Sequence, residues 1–135
     1  MQNDESEELA FLVPLNYVNH SYIPESEFSP NEDGFVFVSI GTAYINLKSN
    51  KTYYLEYSIF NKSGVDILKQ AENSMSGFSN LYSPENDNEL PISSAFRMFL
   101  KMPGGIYKCT MKLLNKDKVC LDEKSIKFIV TSEQP

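Results

Sequence analysis

Tryptophan is absent from the 135 residues, histidine and arginine occur once each, and cysteine occurs twice. Each shortage excludes something. The single histidine, His20, lies in Asn19-His20-Ser21, a setting for a solvated loop residue, and any Ser-His-Asp or Cys-His site would have to use it. No G-x-S-x-G, Walker A, G-x-G-x-x-G or H-E-x-x-H motif is present, so the chain is expected to be non-enzymatic. Two cysteines, Cys109 and Cys120, are too few for a disulfide framework or a zinc site and read as ordinary buried thiols. The alternation Glu85-Asn-Asp87-Asn-Glu89 lacks the spacing and glycine of a calcium loop. No metal or other cofactor is expected.

Long apolar runs are missing as well. None reaches the roughly 18 residues of a membrane-crossing helix, and Met1 to Glu8 is acidic where a secretory leader would be basic and then apolar. The expectation is a cytoplasmic chain without membrane insertion, or a secreted one if a leader has been removed.

Charge is segregated. Residues 1–34 hold eight carboxylates and no lysine or arginine, whereas residues 101–127 carry seven lysines against three carboxylates. The formal net charge is -6 and the sequence pI about 4.8, which argues against nucleic acid as a partner because phosphate neutralisation needs clustered cations. Eleven lysines to one arginine, with twelve asparagines, is the bias of an AT-rich genome, such as that of a low-GC bacterium or its phage. Three N-x-S/T triplets, at Asn19, Asn50 and Asn61, are close to the roughly two that chance would supply and are weak evidence of glycosylation.

What is present is ordinary globular material: 41% hydrophobic and 13% aromatic residues, with 8 Tyr and 9 Phe, enough for one core. The pattern divides the chain into an acidic tail at 1–7, a single β-sandwich over 8–131, and a short tail at 132–135. Period-2 alternation is clearest at 52–60, with Tyr53, Leu55, Tyr57 and Ile59 on the buried face, and at 106–114, with Tyr107, Cys109, Met111 and Leu113 inward. Further strands are expected at 8–15, cut short or confined to an edge by Pro14, and at 35–47, with a bulge at Gly41. Ile92 to Lys101 forms another, and 119–130 the last, broken by a polar bulge at 122–125. Turns fall at 49–51, 61–64, 103–105 and 115–118. Residues 65–75 read as a strand fading into loop, although Leu68, Ala71 and Met75 have helical spacing. Two long polar loops, 16–34 and 76–91, complete the chain.

The run Pro103-Gly104-Gly105-Ile106-Tyr107-Lys108-Cys109 resembles the G-x-Y-x-C entry to strand F of immunoglobulin-like domains. With no tryptophan and no cysteine near 52–60, the resemblance is to the wider bacterial immunoglobulin-like and fibronectin-III-like architecture, over about 35–131. It implies an all-β, antiparallel sandwich of seven to nine strands, in which Tyr107 caps a corner and Cys109 takes the core position.

Aromatic residues in the two loops are the functional signal, since such exposure is costly without a partner. Tyr22, Phe28, Phe78 and Tyr82 are the expected contact residues for a protein partner, with Glu25 and Glu27 as a charged rim. The leading expectation is thus a non-enzymatic protein-binding or adaptor domain. The alternative is a small acidic inhibitor, phage-encoded in the extreme case, whose 1–34 segment fills a basic site on a host enzyme.

Overall fold

The structure is a computed structural model and describes residues 7–48, 51–70, 78–83 and 92–131. These residues hold nine strands in two facing sheets. They are β1 (Glu8–Val18), β2 (Ser21–Pro24), β3 (Glu27–Phe28), β4 (Phe35–Ile45), β5 (Lys51–Phe60), β6 (Phe78–Ser83), β7 (Ile92–Lys101), β8 (Gly105–Leu114) and β9 (Cys120–Val130). One sheet has the order β2-β1-β4-β7 and the other β3-β9-β8-β5-β6. The protein is an all-β sandwich. Every ladder is antiparallel except the short parallel pairing of β3 with β9.

The core follows from strand parity. Val36, Val38, Ile40 and Tyr44 of β4 point inward, with Leu9 and Leu12 of β1 and Met98 and Leu100 of β7. They meet Tyr53, Leu55 and Ile59 of β5, Tyr107, Cys109, Met111 and Leu113 of β8, and Phe128 and Val130 of β9. Thr42, inward and polar, is satisfied by donating to the Phe11 carbonyl at 2.7 Å.

Three connections are built the same way. In Asn31-Glu-Asp-Gly34-Phe35, Asn61-Lys-Ser-Gly64-Val65 and Asn115-Lys-Asp-Lys118-Val119, the asparagine Oδ1 accepts from the amides two and four residues on, at 2.8–3.0 Å. The fourth residue sits at positive φ, 85° for Gly34, 84° for Gly64 and 65° for Lys118. An asparagine side chain thus does the work of a backbone turn, and part of the asparagine richness has a structural use.

Several expectations are corrected. The supposed loop 16–34 is largely ordered: β1 runs on to Val18 and pairs with β2 through a two-residue turn, Asn19 at φ 52° and His20 at φ 67°. That is the double positive-φ hairpin usually made by Asn-Gly. In the supposed loop 76–91, residues 78–83 form β6 against β5, and the rest lies outside the described residues. Asp66 bridges back to Phe60, but Ile67–Gln70 then makes one helical turn, started by Asp66 Oδ1 accepting from the Leu68 amide. Gly41 is in regular register with Val13 and Ala95 rather than in a bulge. The β8–β9 bulge falls between Leu114↔Cys120 and Leu113↔Asp122, leaving Leu121 as the extra residue, not 122–125. Cys109 is buried, but Cys120 is exposed.

Pro14 costs β1 nothing on its β4 side. Its carbonyl accepts from the Glu25 amide at 3.0 Å, and since a strand residue turns its nitrogen and carbonyl to the same side, the missing donor faces away from β4. The start of β1 is fastened to the other sheet by the Leu9 amide donating to Asp122 Oδ2 at 2.8 Å. Tyr53 adds a second tie: its hydroxyl donates to Glu7 Oε2 and accepts from the Lys48 amide, both at 2.8 Å.

Candidate functional surface

The inward residues of β4 have even numbers, so its odd residues Phe35, Phe37, Ser39, Gly41, Ala43 and Ile45 share the outer face of the four-stranded sheet. Register adds Phe11, Val13 and Leu15 from β1, opposite Ala43, Gly41 and Ser39, and Arg97, Phe99 and Lys101 from β7, opposite Ser39, Phe37 and Phe35. This outer face is apolar. Phe37 and Phe99 are 48% and 53% exposed and Phe11 is 48% exposed. The Phe35 and Phe99 rings stack at 5.0 Å, and Phe37 leans on Phe99 at 6.1 Å.

The centre of that face is tightly filled. A β-carbon on Gly41 would lie 2.7 Å from Leu15 Cδ1 and 3.5 Å from Val13 Cγ1, so the two β1 side chains lie down over the glycine. Ser39, beside it on the same face, is fully buried, and among the described residues its Oγ has no hydrogen-bond partner. The result is an aliphatic floor edged by phenylalanine rings, with Arg97 and Lys101 along β7.

Of the residues singled out from the sequence, Tyr22 belongs to this face. It lies on β2 in register with Tyr17, two residues past Leu15, and is 41% exposed. Phe28 does not belong: at 5% exposure it is a core residue, edge-on to Phe128 at 5.5 Å. The β3–β9 pairing carries it inward, so it is unavailable as a contact. Glu25 is half-buried beside β1 and Glu27 is exposed on β3, the outermost strand of the opposite sheet. The structure therefore separates Glu27 from Tyr22. Phe78 and Tyr82 sit on β6 in register with Glu56 and Thr52, again in the five-stranded sheet. Their side chains lie outside the described residues, as do Glu85, Asp87 and Glu89.

Phe11, Phe35 and Phe37 stand in good strands, where an aromatic reads as core, whereas the alternation in 92–101 sets Phe99 beside Arg97 and Lys101, away from Phe96, Met98 and Leu100. The available signal was apolar character at both parities of 35–45. Such a strand is either covered on both faces or presents one of them.

Little else offers chemistry. His20 is exposed in the β1–β2 turn, and among the described residues no group of three His, Cys, Asp or Glu side chains could hold a metal ion. Burial pushes the Cys109 thiol up to about 12, with Asp66 adding to the shift, which leaves it a neutral core group. Among the described residues no helix is long and apolar enough to cross a membrane. The Tyr107 hydroxyl donates to the Pro103 carbonyl at 2.6 Å and its ring stacks on Phe128 at 5.9 Å.

No protein-family model matches the chain, and no curated protein matches it either. Similar solved structures include the periplasmic chaperone SfaE, with a TM-score of 0.46 and 11% identity over 82% of this chain and 55% of that one. The chain thus spans little more than half the length of that protein. A structural-genomics target, SoR45, has a TM-score of 0.44 and 12% identity over 96% of this chain and 90% of its own. The N-terminal domain of PorA has a TM-score of 0.44 and 12% identity over 92% and 100%. Likeness this distant transfers no role to the chain.

Proposed function

We propose that this is a non-enzymatic protein-binding domain whose contact surface is the outer face of its four-stranded sheet. The observation that carries the reading is the group Phe35, Phe37 and Phe99, in ring contact on one sheet face with Phe37 and Phe99 about half exposed, with Phe11 about half exposed farther along the same face. Contiguous apolar surface of this kind is unfavourable in water and marks interaction sites, and rigid aromatic side chains are the usual anchors of interfaces. The non-catalytic part is supported by the placement of His20, alone and exposed in a hairpin turn. Kinship with immunoglobulin-like and fibronectin-III-like domains belongs to the same proposal, supported by the Tyr107–Pro103 bond at the entry to β8.

The acidic-inhibitor reading has less support. Glu8, Glu25 and Glu27 lie on or beside β1, β2 and β3, woven into both sheets rather than carried on a separable arm. Salt distinguishes the two: an electrostatic blocker loses affinity steeply as ionic strength rises, and an aromatic interface does not.

The test is affinity capture from the source cell with the wild-type chain and with Phe37→Thr/Phe99→Thr, which keeps β-forming residues at both positions. Loss of a specific captured protein, with melting temperature preserved, is expected, since truncated anchors cost about 2 kcal/mol or more. Equal capture by both chains overturns the proposal.

A further inference from the structure

Among the strands with an open side, β2 has four residues and ends in Pro24, and β3 has two and leaves β9 open before Ile129, where β9 is interrupted by the bulge at Leu121 and carries Lys124 and Lys127; β6 shows six described residues. β7 is different. It has ten residues without a proline, and its register with β4 is unbroken from Tyr44↔Ile92 to Phe35↔Lys101. Among the described residues no strand pairs with its other side. Sheet proteins commonly shorten, bulge or interrupt such edges with proline, because a row of free amides and carbonyls recruits a further strand.

β7 also borders the apolar face, and its outward row reads Arg97, Phe99, Lys101, all exposed. On the β4 side the cations face Ser39 and Phe35, so neither has a carboxylate directly across from it. The place for an opposite charge is on the open side.

We infer that β7 is a strand-acceptor edge, taking an extended segment of a partner protein as the next strand of the sheet, with carboxylates beside Arg97 and Lys101 and an apolar residue beside Phe99. The inference rests on the outer face being an interface and names what occupies its border. Main-chain hydrogen bonds supply the affinity and the alternate side chains the selectivity, as in other strand additions. A second copy paired antiparallel about Phe99 is disfavoured, because Arg97 of each β7 then faces Lys101 of the other and like charges directly opposite are destabilising.

The experiment uses the full ¹⁵N-labelled chain and three short synthetic peptides. One carries glutamates at the two places that meet Arg97 and Lys101 and an apolar residue at the place between them that meets Phe99, the second carries lysines at the two charged places, and the third is the glutamate peptide N-methylated at every second residue. The expected result is that the glutamate peptide slows hydrogen exchange of β7 amides, the lysine peptide binds on the order of fivefold more weakly, and N-methylation abolishes protection. Arg97→Glu/Lys101→Glu should reverse the preference between the charged peptides. Unchanged β7 exchange with millimolar glutamate peptide overturns the inference, as does equal binding of the N-methylated form. Protection of β7 in concentrated protein without peptide also overturns it, by making a second copy the occupant. If the glutamate peptide shifts amides around Phe37 and Phe99 without protecting β7, strand addition falls and the apolar interface stands. If Phe37→Thr/Phe99→Thr captures partners as the wild type does, the interface itself falls.

Discussion

The hydroxyl of Tyr107 reaches back four residues to the Pro103 carbonyl, 2.6 Å away, and closes the corner through which the chain enters β8. The ring behind it is buried and stacked on Phe128. Tyr107→Phe keeps the ring and leaves the carbonyl without its donor. A loss of about 1 kcal/mol is expected, because one neutral hydrogen bond disappears and nothing else moves. Urea denaturation checks it, with a lower midpoint at unchanged slope as the expected outcome.

Asn61 makes two side-chain bonds, to the amides of Ser63 and Val65, in the connection from β5 to the following helical turn. Asn61→Ala removes both acceptors and should cost about 1–2 kcal/mol. Asn61→Asp retains an oxygen in the same place and should cost much less. A pair of melting curves separates acceptor loss from mere loss of volume, and equal destabilisation by the two variants would refute the account.

The same turn explains what could and could not be read from the sequence. The turns at 61–64 and 115–118 each follow a clear period-2 strand, and there the asparagine was conspicuous. Asn31 makes identical bonds, but it follows a run of polar residues and was absorbed into a loop. The β1–β2 hairpin was hidden because Asn19 and His20 both adopt positive φ without a glycine to announce it. The strands at 52–60 and 106–114 were legible because one parity of each is wholly apolar while the other carries Glu56 and Ser58 in the first and Lys108, Thr110 and Lys112 in the second. β4 was legible as a strand, but its second apolar face was not, since parity cannot say whether another layer covers it. Phe28 was misplaced because what carries it inward is a two-residue pairing with β9, about a hundred residues further along the chain, and no local pattern encodes that.

Tyr53 gives the fold an alkaline limit. Burial, reinforced by the Glu7 carboxylate and partly offset by the Lys48 amide, raises its phenol from 10.0 to about 12. The folded value lies above the unfolded one, so this contribution is complete below pH about 10 and is lost as pH climbs towards 12. Denaturation midpoints from pH 9 to 12 should therefore fall, and Tyr53→Phe should fall less steeply. Some decline should survive in that variant, because burial raises Tyr107 in the same direction.

The two thiols should behave as different reagents. Cys120 is exposed at the start of β9, whereas Cys109 is buried, with its thiol held up near 12. The thiolate is the reactive form, so a disulfide reagent at pH 8 should modify one cysteine per folded chain and two in denaturant. Cys120→Ser should reduce the folded count to zero with little change in melting temperature. Rapid modification of both in the folded chain would contradict the placement of Cys109 in the core.

Leu15 and Gly41 provide the sharpest test of the outer face. A methyl on Gly41 would stand 2.7 Å from Leu15 Cδ1, and Leu15 is a flexible side chain on the solvent side of the sheet, so it can give way by changing rotamer. Gly41→Ala should therefore fold, but with Leu15 displaced from its seat, at a cost of about 1 kcal/mol or somewhat more. Leu15→Ala alone should cost a similar amount by uncovering the glycine. The double variant should cost clearly less than the sum, because the alanine at 41 then meets no leucine and partly fills the place that leucine left. A coupling of 0.5 kcal/mol or more is the expected signature of two residues in contact. Strict additivity would mean that Leu15 does not lie over Gly41, and with that the apolar floor of the proposed binding surface would be gone.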